Sequence, residues 1–215
     1  MKKNIVYIHG LFESRENPLT QYLKEHTSPG VEYHCIAPFS KDEFGTQSFY
    51  QIVQQTQDSI DTIRPEMIIA HSLGAYVAMY ISTNQPLILL DPSLAIADII
   101  TGNITQDGSV SFYDDGRYRI KLSLEFLESI KATLPIEKVA RNVKARDIHI
   151  FGAGNGGYKI AEQYHQYIPH SHYAILPSAT HEFKEESDRQ KILAVIKKRL
   201  NITLSHEEDG RTGSW

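Results

Sequence analysis

A chain of 215 residues with 41% hydrophobic and 22% charged residues has the make-up of one globular domain with a sizeable core. Its net charge of −4 leaves no basic footprint, so neither nucleic acid nor an anionic membrane is expected as a partner. The single cysteine, Cys35, rules out an internal disulfide, and no stretch approaches the roughly 18 apolar residues of a membrane span.

Short apolar runs alternate with amphipathic ones, which predicts a parallel sheet covered by helices. Ile5-Val6-Tyr7-Ile8 reads as the first buried strand. It follows a basic start but is too short for a signal-peptide core, so a cytoplasmic protein without membrane insertion is expected. Asn17-Pro18 reads as an N-cap followed by proline at the first helical position. Leu19, Tyr22, Leu23 and His26 then share a face, and Ser28-Pro29-Gly30 stops the helix. A second strand is expected over about 31–37, ended by Pro38. Phe49, Ile52, Val53, Ile60 and Ile63 fit one face of a helix over about 48–64.

Pro65-Glu66-Met67-Ile68-Ile69 reads as a buried strand, and residues 75–81 as a buried helix. Between them stands Ala70-His71-Ser72-Leu73-Gly74. A serine on a sharp strand-to-helix turn is a nucleophile elbow, which exposes the hydroxyl and frees the next amide for an oxyanion. The usual pattern is G-x-S-x-G, because small residues two before and two after the serine relieve crowding between helix and strand. Ala70 replaces the first glycine at the expense of one methyl group, which the turn tolerates.

Leu87-Ile88-Leu89-Leu90 is the fourth predicted strand. Residues of about 92–142 break the alternation, with Gly/Asp-rich turns and a helical run over about 122–132. They read as a short cap above the sheet, since about fifty residues make a poor core alone. Phe112, Tyr113, Tyr118, Phe126 and Leu127 could line an acyl pocket there or form the cap's own core. Strands over 147–151 and 172–176, a helix near 160–167 and a last helix over about 185–200 complete a single domain over 1–200. The polar tail 201–215 is expected to fray.

His9-Gly10 after the first strand, Ser72 at the elbow and His181 after the last strand together resemble the α/β-hydrolase superfamily across nearly the whole chain. The chain begins at the strand before the His-Gly turn, so the two N-terminal strands of larger members are not expected. Ser72-Leu73-Gly74-Ala75-Tyr76, Asp91-Pro92 and Thr180-His181-Glu182-Phe183 are similar to the corresponding stretches of the small YqiA-like bacterial esterases. The resemblance implies a minimal α/β-hydrolase fold, with a mainly parallel sheet flanked by helices. It also implies triad residues in the order Ser, acid, His.

The chemistry gives each residue a task. Ser72 needs a base, and His181 can take its proton and return it to the leaving group. The amides of Leu73 and Leu11, with Phe12 as second choice to Leu11, would hold the oxyanion. The acid is the irregular position. The resemblance puts it in Gly152-Ala153-Gly154-Asn155-Gly156-Gly157, at Asn155 or Ala153, and neither is a carboxylate. Asp147 begins its strand at the far edge of the sheet and reads as a structural turn residue. Asp91 ends the strand after the elbow helix, as in some superfamily lipases and haloalkane dehalogenases, and is the preferred acid. Asn155 remains the neutral alternative, as in Cys-His-Asn enzymes.

The same glycine loop matches G-x-G-x-x-G, but the following strand ends Leu176-Pro177-Ser178 with no acid for a ribose. Glu162, His165, His170 and His172 lack metal-ligand spacing. No cofactor and no metal are therefore expected. The function expected is hydrolysis of a small-molecule acyl ester or thioester through an acyl-serine. A metal-free lyase or perhydrolase on the same fold, or a degenerate hydrolase that only binds a small molecule or protein, are the alternatives.

Overall fold

Six short strands, each parallel to its neighbours, make one sheet: β1 (Lys3–Ile8), β2 (Val31–Ile36), β3 (Met67–His71), β4 (Leu87–Leu90), β7 (Ile148–Gly152) and β8 (His172–Leu176). The computed structural model describes residues 2–11, 13, 17–39, 46–111, 119–133, 135–139, 144, 147–152, 162, 164, 166–167 and 172–201. The order across the sheet is β2-β1-β3-β4-β7-β8. The chain therefore moves outward from β1 to β2, then returns to the other side of β1 with β3. Loops leaving β1 and β3 diverge at that switch point, and open parallel sheets form a crevice there at the carboxyl ends of their strands.

Strand alternation sends side chains to two separate cores. Val6, Ile8, Ile68, Ala70 and Leu89 join one buried cluster, and Ile5, Tyr7, Met67, Ile69, Ile88 and Leu90 the other. Helices α1 (Pro18–His26) and α7 (Glu186–Arg199) cover the second face through Leu19, Leu23, Ile192 and Ile196. Helices α2 (Phe49–Ile63) and α3 (Ser72–Ala78) cover the first. The N-cap expected at Asn17 is present, and α2 has a cap of its own. Asn17 accepts from the Thr20 amide, and Ser48 forms a reciprocal capping box with Gln51.

The predicted elbow elements shift at both ends. The strand expected over 65–69 runs instead from Met67 to His71, because Ala70 pairs with Ile8 and His71 with Leu90. The helix expected over 75–81 starts at Ser72 and ends at Ala78. Apolar periodicity starts late because the first turn holds Ser72 and Gly74. The helix ends early because Tyr80 and Ile81 bond back to Val77 and Ala78, in the tighter i to i−3 pattern.

Between β4 and β7 lie α4 (Ile96–Asn103), an antiparallel pair β5 (Ser109–Ser111) and β6 (Arg119–Lys121), α5 (Leu124–Lys131) and α6 (Ile136–Val139). Ile96, Ile100, Phe126, Leu127 and Ile130 merge with the sheet's own core cluster rather than forming a separate one. The Phe49 amide donates to Ser129 Oγ at 2.8 Å, tying α2 to α5. Phe112, Tyr113, Tyr118 and the tail from 202 lie outside the described residues. No helix among the described residues is long and apolar enough to cross a membrane.

Gly74 sets how closely α3 sits on the sheet. A Cβ there would stand 2.4 Å from the His9 carbonyl oxygen and 2.6 Å from that of Ile8. Both contacts are backbone, which has no rotamer to relieve them. Gly74→Ala is expected to destabilise the fold by about 1–3 kcal/mol, the usual range for overpacking. Urea denaturation checks this, and an unchanged midpoint would mean that α3 does not pack as described.

Candidate active site

The carboxyl ends of β1, β3, β4 and β8 bring His9-Gly10, Ser72, Asp91 and His181 to one edge of the sheet. Ser72 has a positive φ of 55°, a strained conformation for a residue with a Cβ. This is the geometry of the sharp strand-to-helix turn, and it lifts Oγ clear of the strand. Gly10 passes directly against it: a Cβ on Gly10 would lie 2.8 Å from Ser72 Cβ.

His181 Nε2 stands 2.8 Å from Ser72 Oγ. Its Nδ1 meets Asp91 Oδ2. A carboxylate only accepts, so Nδ1–H donates to Asp91 and Nε2 is left to accept the serine proton. Asp91 is held in turn by β7. Its amide donates to the Ile150 carbonyl at 2.7 Å, and its Oδ1 accepts from the Gly152 amide at 3.3 Å. Asp91 also has a positive φ, 41°, which aspartate tolerates better than most residues. The histidine side chain is 39% exposed and the Asp91 side chain 8%, so the imidazole faces solvent while its partner is buried.

The His181 loop is fixed from several sides. The Ala179 amide donates to Leu176, and the Phe183 amide to Thr180. The buried Phe183 ring meets His71 edge-on at 5.9 Å, and Arg189 Nε donates to the Phe183 carbonyl at 2.9 Å. Gly152 lets the loop cross β7, since a Cβ there would meet the Ala179 carbonyl at 2.7 Å.

Leu73, 1% exposed, follows the serine in the first turn of α3, where helix amides lack intrahelical partners. In the turn after β1 the Gly10 amide is already spent on Glu13 Oε2 at 2.9 Å. Leu11 supplies the next amide along, and Phe12 lies outside the described residues.

Asp147 lies at the opposite end of the sheet, where its carboxylate accepts from the Leu87 and Lys144 amides. Ala153, Asn155, His165 and His170 lie outside the described residues.

Three residues at this site carry no sequence signal of their own. The Ser93 amide donates to the Ser72 carbonyl at 3.1 Å, and its Oγ lies 3.2 Å from Ser72 Oγ. Since the Ser72 hydroxyl proton faces His181, Ser93 is the donor of that pair. Glu13 and His71, 58 residues apart, meet at 2.6 Å behind the elbow. Only the position of His71 beside Ser72 hinted at it.

Burial pushes the Glu13 carboxyl up, but the charge and hydrogen bond of His71, helped by His9 and Gly10, hold it well below the usual carboxylate range. Burial pushes the His71 imidazolium down, but Glu13, the His181 carbonyl and the charge of Asp91 raise it above the usual histidine value. The lowered carboxyl adds stability above its ordinary 4.5 that is lost as pH falls through the lowered value. The raised imidazolium adds stability below its ordinary 6.5 that is lost as pH climbs through the raised value. The pair's full contribution therefore lies between about pH 4.5 and 6.5. Urea midpoints of wild type and Glu13→Gln are expected to differ most in that window and to converge at alkaline pH. A constant gap would contradict the ion pair.

No protein-family model and no curated protein matches the chain. Solved structures do. Est1E from Butyrivibrio proteoclasticus superposes with a TM-score of 0.69 at 14% identity, over 93% of this chain and 89% of that one. The esterase domain of a Rhodothermus marinus protein gives 0.66 at 16%, over 91% and 85%.

This is an α/β-hydrolase fold.

A thioesterase domain from the curacin biosynthetic pathway shares the α/β-hydrolase fold more distantly, with a TM-score of 0.56 at 12% identity over 92% of this chain and 91% of that one. In an α/β-hydrolase fold the carboxyl edge of the sheet is where a nucleophile elbow stands. Ser72 occupies that place here, after β3.

Proposed function

We propose that the protein hydrolyses carboxylic esters or thioesters of small molecules through an acyl-serine. The observation that carries this reading is His181 standing between Ser72 Oγ and Asp91, with its accepting nitrogen toward the serine. The esterases and thioesterase of the same fold agree with that class of substrate.

Ser72 Oγ attacks the acyl carbon as its proton passes to His181 Nε2. The carbonyl electrons move onto oxygen, and the amides of Leu11 and Leu73 hold that charge. As the tetrahedral species collapses, the bond to the leaving group breaks and His181 delivers its proton to the departing alcohol or thiol. Water then attacks the acyl-serine, giving its proton to the same nitrogen. The second collapse releases the carboxylic acid and returns the proton to Ser72 Oγ. Throughout, Asp91 keeps Nδ1 protonated and balances the transient imidazolium. None of these steps draws on a metal or cofactor.

Incubation with a fluorophosphonate probe, then digestion and mass spectrometry, tests the reading. The expected result is one adduct, on the peptide containing Ser72, together with turnover of p-nitrophenyl acetate. A folded protein with neither adduct nor turnover would sink the proposal and favour a binding role.

A further inference from the structure

Behind the row of Ser72, His181 and Asp91 lies a second row that no step above uses. His71 is 2% exposed, with its Nδ1 facing Glu13 Oε1 at 2.6 Å and its Nε2 facing the backbone carbonyl of His181 at 2.7 Å. A carbonyl oxygen can only accept. The other oxygen of Glu13 accepts from the Gly10 amide at 2.9 Å. With Glu13 ionised, as its lowered pKa favours, His71 donates from both nitrogens as an imidazolium. The chain of bonds runs from the turn that carries the Leu11 amide, through Glu13 and His71, to the backbone of the base itself.

We propose that Glu13 and His71 are positioning residues: a partly buried clamp that ties the oxyanion turn at Gly10 to the backbone of His181, fixing the distance between the base and the oxyanion donors across Ser72.

This role rests on the hydrolase reading of Ser72. Neither residue hydrogen-bonds Ser72 Oγ or the ring nitrogens of His181. Each acts through the segment it holds. The groups that face the pair are His9 Nδ1, 3.4 Å from Glu13 Oε2, the His181 ring, 5.0 Å from that of His71, and the charge of Asp91. Burial of His71 keeps water from competing for its ring nitrogens, so a removed bond there leaves a polar group unsatisfied. The ordinary alternative, an ion pair that only stabilises the fold, predicts lost stability without a selective loss of kcat.

The test compares wild type, Glu13→Ala and Glu13→Gln on p-nitrophenyl acetate. Alanine removes the acceptor for both Gly10 and His71, and histidine can shed its charge, so the vacated site need not hold a bare ion. Displacement of reacting groups by about 1 Å can slow a reaction on the order of 10²-fold. Glu13→Ala is therefore expected to lower kcat about tenfold or more, with KM within about twofold, because the defect lies in the arrangement of the site rather than in binding. Glutamine can still accept from Gly10 through its oxygen and donate to a neutral His71 through its amide. It is expected to restore kcat to within about threefold of wild type. In the wild-type protein, nitrogen-15 spectra at pH 7 should show two slowly exchanging ring protons on His71.

A wild-type kcat in Glu13→Ala overturns the clamp, and so does a glutamine variant no better than alanine. If Glu13→Ala does not fold, wild type decides: a His71 Nε2 proton that exchanges freely with solvent overturns the clamp, and a protected one supports it. A wild-type chain that neither labels at Ser72 nor hydrolyses ester overturns the hydrolase reading, and the positioning role with it, while the spectra still report the His71 bridge.

Discussion

Asp91→Asn is expected to cut ester turnover by about 10⁴-fold while leaving the fold intact, the size of the effect seen when a serine protease loses its triad carboxylate to an amide. The physical reason here is tautomer choice. Asp91 Oδ1 accepts from the Gly152 amide and Oδ2 from His181 Nδ1. An asparagine in the same place satisfies Gly152 only by turning its oxygen that way. Its amino group then points at His181 Nδ1 and forces the proton onto Nε2. That nitrogen would donate to Ser72 instead of accepting from it. Stability should change little, because asparagine is isosteric and both contacts persist, with donor and acceptor exchanged only at His181. Steady-state kinetics with circular dichroism checks both halves. Near-full turnover in Asp91→Asn would transfer the acid role elsewhere, Asn155 being the first alternative, and Asn155→Ala is the companion measurement.

Ser72→Ala is expected to do more, lowering turnover by about 10⁶-fold, as when serine proteases lose the nucleophile. A residual acceleration of about 10³–10⁴ over water would come from the oxyanion amides and substrate binding. On the proposed mechanism nucleophile, base and orienting acid act as one unit, so their losses should not add. The double variant Ser72→Ala with Asp91→Asn should therefore be no slower than Ser72→Ala alone. The neighbouring Ser93 hydroxyl, 3.2 Å from Ser72 Oγ, makes the measurement informative. If Ser72→Ala kept more than about a thousandth of wild-type turnover, a second nucleophile would be at work and Ser93→Ala would be the next variant.

The fold was largely legible because its signals are local. Asn17-Pro18 and Ser48 to Gln51 each satisfy orphan amides within one turn, so their helices begin where the residues say. The apolar runs at 5–8, 87–90 and 172–176 predicted strands that the sheet contains. Boundaries failed where pairing partners lie far away. The extra two residues of β3 form because Ala70 and His71 have Ile8 and Leu90 beside them. Nothing near residue 70 contains that information.

The candidate site divides along the same line. Ser72 stood out because the elbow is a contiguous pattern whose strained turn needs small neighbours, and His181 because a histidine follows the last strand. The role of Asp91 rested on inference, since the loop after β7 offers amide and methyl groups where a carboxylate was expected. The structure brings Asp91 to His181 because β4 and β7 lie side by side, with Leu90 opposite Ile150. The residue after Leu90 can then bond both β7 and the histidine loop that crosses it. Glu13 and His71 were silent, since an acidic residue in a loop and a histidine in an elbow are each commonplace alone.

Residues three or four apart in sequence thus decided the elements, the strained serine and the small residue at position 74. Strand order decided which charged groups share a burial site. A hydrogen bond between residues 58 or 90 apart exists only after the sheet has assembled. Its strength then depends on the water the assembled sheet excludes, a property that no stretch of sequence possesses by itself.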